Sequence, residues 1–467
     1  MLVEEYPFIE PDIAFGALAG SGKCQFLDSG NDAGFSYIAL NPIHIITARD
    51  GQVCLDGIDV PGNPFAVLGT LMAQYEVPHD ATLPPFQGGL VGYFGYDLCQ
   101  QLENLPEPEQ GWINIPDLMA GIYDVVLSFD LAKRRMWIIA HGFCAPQSQA
   151  QRMRAREKLA DIKDLLRRAM PFEVDVPQAP ELPAMMPWQA NFNRADYENA
   201  VRRVLDYIFA GDIFQANLSQ SFFAHYGLGQ MPDRFALYRR LRGLSPAPFG
   251  AYLDFGAVAI LSNSPERFLK VDADGRVETK PIKGTRPRGN TPLEDAANAQ
   301  ELLCSDKDRA ENVMIVDLLR NDLSKVCEPY SVVTKAICQL ESFANVHHLV
   351  STVEGRLETE KTAIDALAAC FPGGSITGAP KIRAMEIITE LENSRRGAYC
   401  GAIGFIGFDG AMDTNIAIRT LSIHEGRMAF NVGGGIVADS IPACEYDETL
   451  SKAAKLIAAL GIVTKLP

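Results

Sequence analysis

The stretch Pro281-Ile282-Lys283-Gly284-Thr285-Arg286-Pro287-Arg288-Gly289 places one lysine beside a glycine, a hydroxyl and two arginines. A lysine held among apolar neighbours can lose its proton and become a nucleophile, because burial disfavours the ammonium form. An unperturbed lysine has a pKa of about 10.4, so the amine needs such help. Partial burial and the charges of Arg286 and Arg288 would supply it. Pro281 and Pro287 fix φ on either side and Gly284 permits close approach, so the spacing predicts a tight, stiffened turn presenting Lys283. The same residues also fit a solvated basic loop between a strand and a helix.

Other groups along the chain fit a reaction on a small anion. Glu266, in Ser264-Pro265-Glu266-Arg267-Phe268, is suited to acid–base work if its turn is buried, or to a surface ion pair with Arg267. Asp308 and Glu311 lie three apart on one helix, and Glu445, Glu448 and Lys452 share a face of the last helix. Two carboxylate faces that converge could hold a hard cation such as Mg²⁺, although solvated helices show the same spacing. Phe371–Lys381 reads as a glycine-rich turn entering a helix. Asn431–Val437, with Gly433, Gly434 and Gly435, reads as a second loop whose N–H groups could bind a carboxylate. Arg419 is available as a bidentate anchor for one. Together these features suggest a small polyanionic substrate.

The elements that must position these groups follow from hydrophobic spacing. Phe35–Leu40 and His44–Ala48 read as strands, and Pro64–Tyr75 as a helix with Phe65, Leu68, Leu71 and Met72 in register. The glycines and aromatics of Pro84–Asp97 suggest strands packed against another backbone rather than a phosphate loop. Residues 150–170 form a basic amphipathic helix, and Pro171, Pro177, Pro180, Pro183 and Pro187 mark an extended linker. Two domains are therefore expected, 1–170 and 190–467, joined by a Pro-rich linker over 171–189.

Beyond the linker, Asn193 caps a helix with Tyr197, Val201, Val204, Leu205 and Ile208 on one face. Gln215–Phe223 reads as a strand, Gly250–Leu261 as a hairpin, and Asp272–Gly275 as a turn. Thr291-Pro292-Leu293-Glu294 has the form of a capping box, and Ser305 opens the next helix. Gly378–Asn393 reads as helix, Tyr399–Ser422 as two strands and Pro442–Leu460 as the last helix. Strands and helices do not alternate as βαβ units, so α+β is the expected class.

Composition excludes several classes. Apolar residues make up 47% and charged residues 21%, ordinary values for a globular protein with a sizeable core. A net charge of −16 argues against nucleic acid or an anionic membrane as partner. The ten cysteines include no C-x-x-C pair, so free thiols in a reducing cytoplasm are expected. No apolar run is long enough for a membrane span, and no signal peptide is visible.

The ordered set Ser264–Phe268, Pro281–Gly289, Ala310–Asp322, Phe371–Lys381, Arg419-Thr420, Gly433–Val437 and Glu445–Lys452 resembles the chorismate-utilising enzymes. Pro85–Asp97 is similar to their first domain. The resemblance implies two packed, mostly antiparallel sheets flanked by helices. It also implies a branch, because anthranilate synthase large subunits typically carry alanine where this chain has Lys283. Lysine there implies amination of chorismate at C4, giving 4-amino-4-deoxychorismate for p-aminobenzoate and folate synthesis. Isochorismate-forming relatives carry a base lysine within the segment matching Phe214–Gln220, where this chain has Gln215.

On this resemblance Lys283 would attack C2, Glu266 would assist departure of the C4 hydroxyl, and His348 would lie near the ring. Gly284, Thr285, Tyr399, Arg419, Gly433, Gly434, Gly435 and Lys452 would hold the substrate. Glu311 and Glu448 would bind Mg²⁺, with Asp308 and Glu445 close by. No cysteine lies in the Gly-x-Cys-x-Gly-x-Gln turn of glutaminases, so a separate glutaminase subunit would supply ammonia. Phe26-Leu27-Asp28-Ser29 loosely matches a tryptophan-binding segment of relatives, which makes Ser29 a candidate there. The alternatives are amination at C2 with pyruvate loss, as in anthranilate synthase, and a non-catalytic relative that binds chorismate or tryptophan.

Overall fold

Runs such as Gly89–Phe94 and Val125–Asp130 are buried at every position, which requires cover on both faces of a strand. A computed structural model, describing residues 1–21, 23–30, 34–143, 148–169, 188–226, 233–343 and 346–461, places them inside two large sheets. Each sheet has 12 strands among the described residues. The first runs from Leu2–Tyr6 at one edge through Phe249–Asp254, Val258–Ser264, Thr420–His424 and Arg427–Ile436 to Gln215–His225 near the other. The second runs from Ile282–Pro287 through Val346–Arg356, Arg267–Val271, Met412–Ile416, Ala402–Gly407 and Gly89–Phe94 to Ile58–Val60. Their pairings are antiparallel. The α+β class and the two packed sheets are as expected.

Apolar side chains of both inner faces, among them Tyr37, Phe86, Tyr93, Ile260, Ile403 and Phe405, form one core between the sheets. Helices cover the outer faces. Pro64–Met72, Asp306–Leu323 and Ala363–Cys370 pack on the second sheet, and Pro11–Leu18, Ser148–Ala169, Arg234–Leu244 and Pro442–Ala459 on the first. Strands from both sides of the expected division at 171–189 meet in both sheets. Gln25–Asp28 pairs with Phe249–Asp254, and Gly89–Phe94 with Ala402–Gly407. The proline-rich segment itself, 171–187, lies outside the described residues. No helix among the described residues is long and apolar enough to cross a membrane.

Local signals explain most boundaries. The side chains of Asn193, Thr291 and Ser305 each accept the N–H three residues on, capping Arg194–Ala210, Pro292–Cys304 and Asp306–Leu323. Gly89 and Gly92 sit where a Cβ would lie 2.2 and 2.3 Å from backbone oxygens of neighbouring strands, so close packing does require glycine there.

Two boundaries differ from expectation. The helix expected from Gly378 starts at Lys381, because Gly378-Ala379 pairs as a short strand with Gln215-Ala216. The segment Tyr399–Ser422 forms three strands rather than two: Ala402–Gly407, Met412–Ile416 and the start of Thr420–His424. The last of these leaves the second sheet for the first, and Arg419, with φ +52, makes the corner.

Candidate active site

Lys283 does not lie in a tight turn. Ile282–Pro287 is an edge strand of the second sheet, paired to Val346–Arg356 with Ile282 opposite Val350 and Thr285 opposite His348. Lys283 and Gly284 therefore share one partner position, Leu349, and form a β-bulge that re-aims the lysine. Gly284 takes φ +85, and a Cβ there would lie 2.9 Å from Leu302 and Asp308 of the two covering helices. The glycine is thus needed for both backbone conformation and space.

The lysine amine faces the first sheet. A methyl group placed on Gly435 would lie 3.4 Å from Lys283 Nζ and 2.8 Å from Gln215 Nε2. Burial pushes the Lys283 amine below the ordinary lysine value, and the like charge of Lys452 acts in the same direction. The carboxylates of Glu311, Glu266 and Glu448 oppose that shift. Arg286 and Arg288 are not its cause, contrary to the sequence expectation. Arg286 is paired with Glu301 at 2.8 Å and Asp308 at 3.3 Å, and Arg288 is held bidentately by Asp295.

Glu266 lies where the chain passes from the first sheet to the second, only 7% exposed. Burial raises its pKa, against the Ser375 hydroxyl, which donates to Oε1 at 2.8 Å, and the nearby Lys283 charge. The surface ion pair with Arg267 is absent, since Arg267 turns instead to Asp413 and Glu278. A carboxyl whose proton is held more tightly than usual and an amine whose proton is held less tightly thus lie near one another.

Asn431–Val437 is not a loop. Gly433, Gly434 and Gly435 belong to the strand Arg427–Ile436 and pair with Ser219, Leu218 and Asn217. The strand Thr420–His424 covers only Arg427–Phe430, so the opposite edge of Asn431–Ile436 has no strand neighbour among the described residues. Lys452 Nζ donates to Gly433 O at 2.9 Å on this segment. The backbone polar groups expected of a loop are thus supplied by an open strand edge.

A methyl group on Gly434 would lie 3.4 Å from Glu445 Oε2, 3.5 Å from Glu448 Oε1 and 3.5 Å from Lys452 Nζ. Glu445 is raised chiefly by burial, Ser440 opposing and Glu448 adding to it. Glu311 is raised by burial, against Lys283 and Lys307, with Asp308 and Glu448 adding to it. Neither Glu311 nor Glu445 has an ion-pair partner within 4 Å among the described residues. No three metal-binding side chains among them close into a ready cage. One or two carboxylates suffice for a hard cation such as Mg²⁺, which keeps waters and takes substrate oxygens alongside them.

Arg419, mostly buried, has no side-chain hydrogen bond or ion pair among the described residues, and burial lowers its pKa against the pull of Glu266. A partly buried guanidinium without a partner leaves its donors free for a carboxylate. Thr285 Oγ1 and His348 Nδ1 lie 2.8 Å apart, and burial together with the Arg419 charge lowers His348 to about 4, so its ring is neutral at neutral pH. Tyr399 has no hydrogen bond to Lys283, Glu266 or Arg419 among the described residues. It lines a space of about 20 Å³ with Thr420 and Asn431. Ser29 lies elsewhere, on a cavity of about 880 Å³ between the sheets.

Four further residues support the site in ways that their sequence context does not reveal. Gln215 is fully buried, and neither its Oε1 nor its Nε2 has a hydrogen-bond partner. The sequence marks it only as the residue standing where isochorismate-forming relatives carry a lysine. Ser375 holds Glu266, within a motif read for its backbone amides. Arg396 and Glu392 form a buried ion pair behind the site, with Arg396 also donating to Asn217 O at 2.6 Å and Glu392 accepting from Ser219 N at 2.7 Å.

Residues 23–458 match the family of chorismate binding enzymes. Over 414 residues the chain is 43% identical to aminodeoxychorismate synthase component 1 of Klebsiella aerogenes, covering 88% of this chain and 86% of that protein. It is 39% identical over 458 residues to anthranilate synthase component 1 of Thermus thermophilus, covering 96% of this chain and 95% of the other. The crystal structure of anthranilate synthase component I from Streptococcus pneumoniae superposes with a TM-score of 0.80 at 35% identity, covering 90% of this chain and 91% of that one.

Proposed function

The chain belongs to the chorismate binding enzymes, and from that premise we propose that it aminates chorismate at C4 to give 4-amino-4-deoxychorismate. The observation that carries this reading is Lys283 itself, an amine held below its ordinary pKa on a bulge beside Gly435, near a carboxyl held above its own. Similarity to aminodeoxychorismate synthase component 1 supports it.

Lys283 Nζ adds to C2 of the ring as the double bonds shift and the C4 hydroxyl departs with a proton from Glu266, as water. Ammonia then adds at C4, the double bonds shift back, and the lysine leaves C2 as the neutral amine from its ammonium adduct, while the new C4 ammonium returns its extra proton to the Glu266 carboxylate. The enolpyruvyl group is retained. Because C2 is occupied by the lysine, water cannot compete there. His348, neutral and tied to Thr285, holds the ring, and Arg419 takes a substrate carboxylate. Gly284, the open edge at Gly433–Gly435 and Lys452 complete the binding surface, with Tyr399 behind Thr420. Glu311 and Glu448 would hold Mg²⁺, with Asp308 and Glu445 close by, and the ion would neutralise substrate carboxylate charge. Ammonia comes from a separate glutaminase subunit in the cytoplasm, and the Ser29 cavity takes tryptophan.

A second reading, amination at C2 with pyruvate loss, draws on the anthranilate synthase relatives. Product identity separates the two. The purified chain with chorismate, ammonium and Mg²⁺ should give an aminated product that keeps its enolpyruvyl group. Fluorescent anthranilate and free pyruvate would establish the second reading instead.

A further inference from the structure

Six residues outside the reacting set, Arg288, Gly289, Asp295, Ser342, Phe343 and His347, form one connected cluster at the end of the lysine strand. Arg288 Nε and Nη2 each donate to the Asp295 carboxylate at 2.7 Å, and Gly289 N donates to its Oδ1 at 2.9 Å. His347 Nε2 lies 2.9 Å from the same oxygen, while His347 Nδ1 lies 2.8 Å from the Ser342 hydroxyl. Arg288 Nη1 also donates to Phe343 O at 2.9 Å. His347 is only 3% exposed and Asp295 22%, whereas Arg288 is 38% exposed, so the histidine end of the cluster is buried and the arginine end meets solvent.

The position of this cluster gives it a consequence. His347 immediately precedes His348 on the strand Val346–Arg356, and Arg286 pairs with it across the ladder. Arg288 and Gly289 directly follow the strand that carries the bulge. Asp295 sits in the first turn of the helix Pro292–Cys304, whose Leu302 closes on Gly284. A Cβ on Gly289 would lie 2.1 Å from Asp295 N, so chain and helix meet there without a gap. One carboxylate thus ties the exit of the lysine strand, its partner strand and the covering helix to a single point.

A bulge adds one residue to one strand, and a slip of one residue would turn Lys283 and Thr285 to the opposite faces. Edge strands are paired on one side only and are the easiest to slip. We infer that Asp295, acting with His347 and Arg288, is a positioning residue that locks the register of the bulge and so aims the Lys283 amine and the His348 ring at the substrate. The inference rests on the proposed role of Lys283. Asp295 itself touches no substrate.

The test compares Asp295→Asn, His347→Gln and the double variant with wild type, using the full chain with chorismate, ammonium and Mg²⁺. Misplacing a reacting group by about 1 Å can cost on the order of a hundredfold, so each single variant should lose roughly ten- to a hundredfold in kcat. KM for chorismate should stay within about twofold, and the double variant should lose no more than the worse single one, since both break the same lock. Formation of the Lys283 adduct without ammonia should slow in parallel. Wild-type kcat in both folded single variants would overturn the inference, as would losses that appear only in KM or that multiply in the double variant. If wild type forms no adduct, the reading of Lys283 fails. The lock is then still judged by the kcat and KM pattern. Should Asp295→Asn not fold, His347→Gln alone decides by the same split.

Discussion

Two spaces lie between the same two sheets, and they differ in how their charges are matched. In the cavity beside Ser29 every lining charge has an opposite partner within 4 Å, as in Arg242–Asp28, Arg267–Asp413, Lys270–Asp272 and Lys133–Asp130. At the Lys283 end, Lys283, Glu266, Glu311, Glu445 and Arg419 have no ion-pair partner within 4 Å among the described residues. The first space is electrically complete and suits a neutral or zwitterionic guest. The second holds unmatched charge of both signs, which an anionic substrate and a cation would complete. Charges left unmatched, rather than cavity size, distinguish the Lys283 end, and groups shifted by desolvation without a matching partner cluster at functional sites.

The comparison breaks most sharply at Glu266. Glu266→Gln keeps the shape and removes the proton donor, so kcat should fall by about 10²–10⁴-fold with the fold intact, as read by product formation and thermal melting. The active form carries a neutral Lys283 and a protonated Glu266, so the wild-type rate–pH profile should be bell-shaped, with both limbs displaced inward from the ordinary carboxyl and amine values. Glu266→Gln should lack the alkaline limb.

Two arginines, Arg242 paired with Asp28 on the cavity wall and Arg419 at the Lys283 end, should respond in opposite ways. Arg242→Met strands the buried Asp28 carboxylate, and breaking such a pair costs about 3–5 kcal/mol of stability while activity of the folded fraction survives. Arg419→Met strands nothing in the protein, so melting should be unchanged or higher. It should lower kcat/KM for chorismate by about 10- to 150-fold, the loss of a hydrogen bond to a charged group. A fall in stability at Arg419 and a fall in activity at Arg242 would reverse the comparison.

His348 gives a smaller effect with a defined pH window. Its folded value, about 4, lies below the ordinary 6.5. The unfolded chain therefore takes up the proton first on acidification, and stability is lost between pH 6.5 and 4 and not further below. The loss is on the order of 3 kcal/mol, and His348→Gln should flatten that part of the stability curve. The smallest effect belongs to the cavity. Ser29→Ala should weaken tryptophan binding, measured by calorimetry, by about two- to tenfold, one hydrogen bond, and leave kcat unchanged.

Much of this was legible in the sequence where the signal is local. Caps at Asn193, Thr291 and Ser305 and the face of Arg194–Ala210 follow from short-range chemistry. The motifs that carry Glu266, Lys283, Glu311, Glu448 and Arg419 were also visible as residue types. What escaped was set by pairing at long range. A glycine run reads as a loop until a partner strand 200 or so residues away, Gln215–His225, claims it. Prolines flanking Lys283 read as a turn, whereas the bulge depends on the register with Val346–Arg356. The charges of Arg286 and Arg288 looked available to Lys283 because their partners, Glu301, Asp308 and Asp295, lie on helices whose placement no spacing reveals. Gln215 was read for the lysine it replaces, and only burial exposes its unpaired amide.

The central claim, that Lys283 becomes covalently bonded to the substrate, has a direct measurement. Wild-type protein incubated with chorismate and Mg²⁺ in the absence of ammonia, then digested and analysed by mass spectrometry, should carry a substrate-derived adduct on the peptide containing Lys283. Lys283→Ala should carry none and should lose most C4 amination, its residual turnover shifting toward C2. An unmodified Lys283 peptide in wild type, together with full C4 amination by Lys283→Ala, would contradict the account and leave the lysine as an electrostatic anchor.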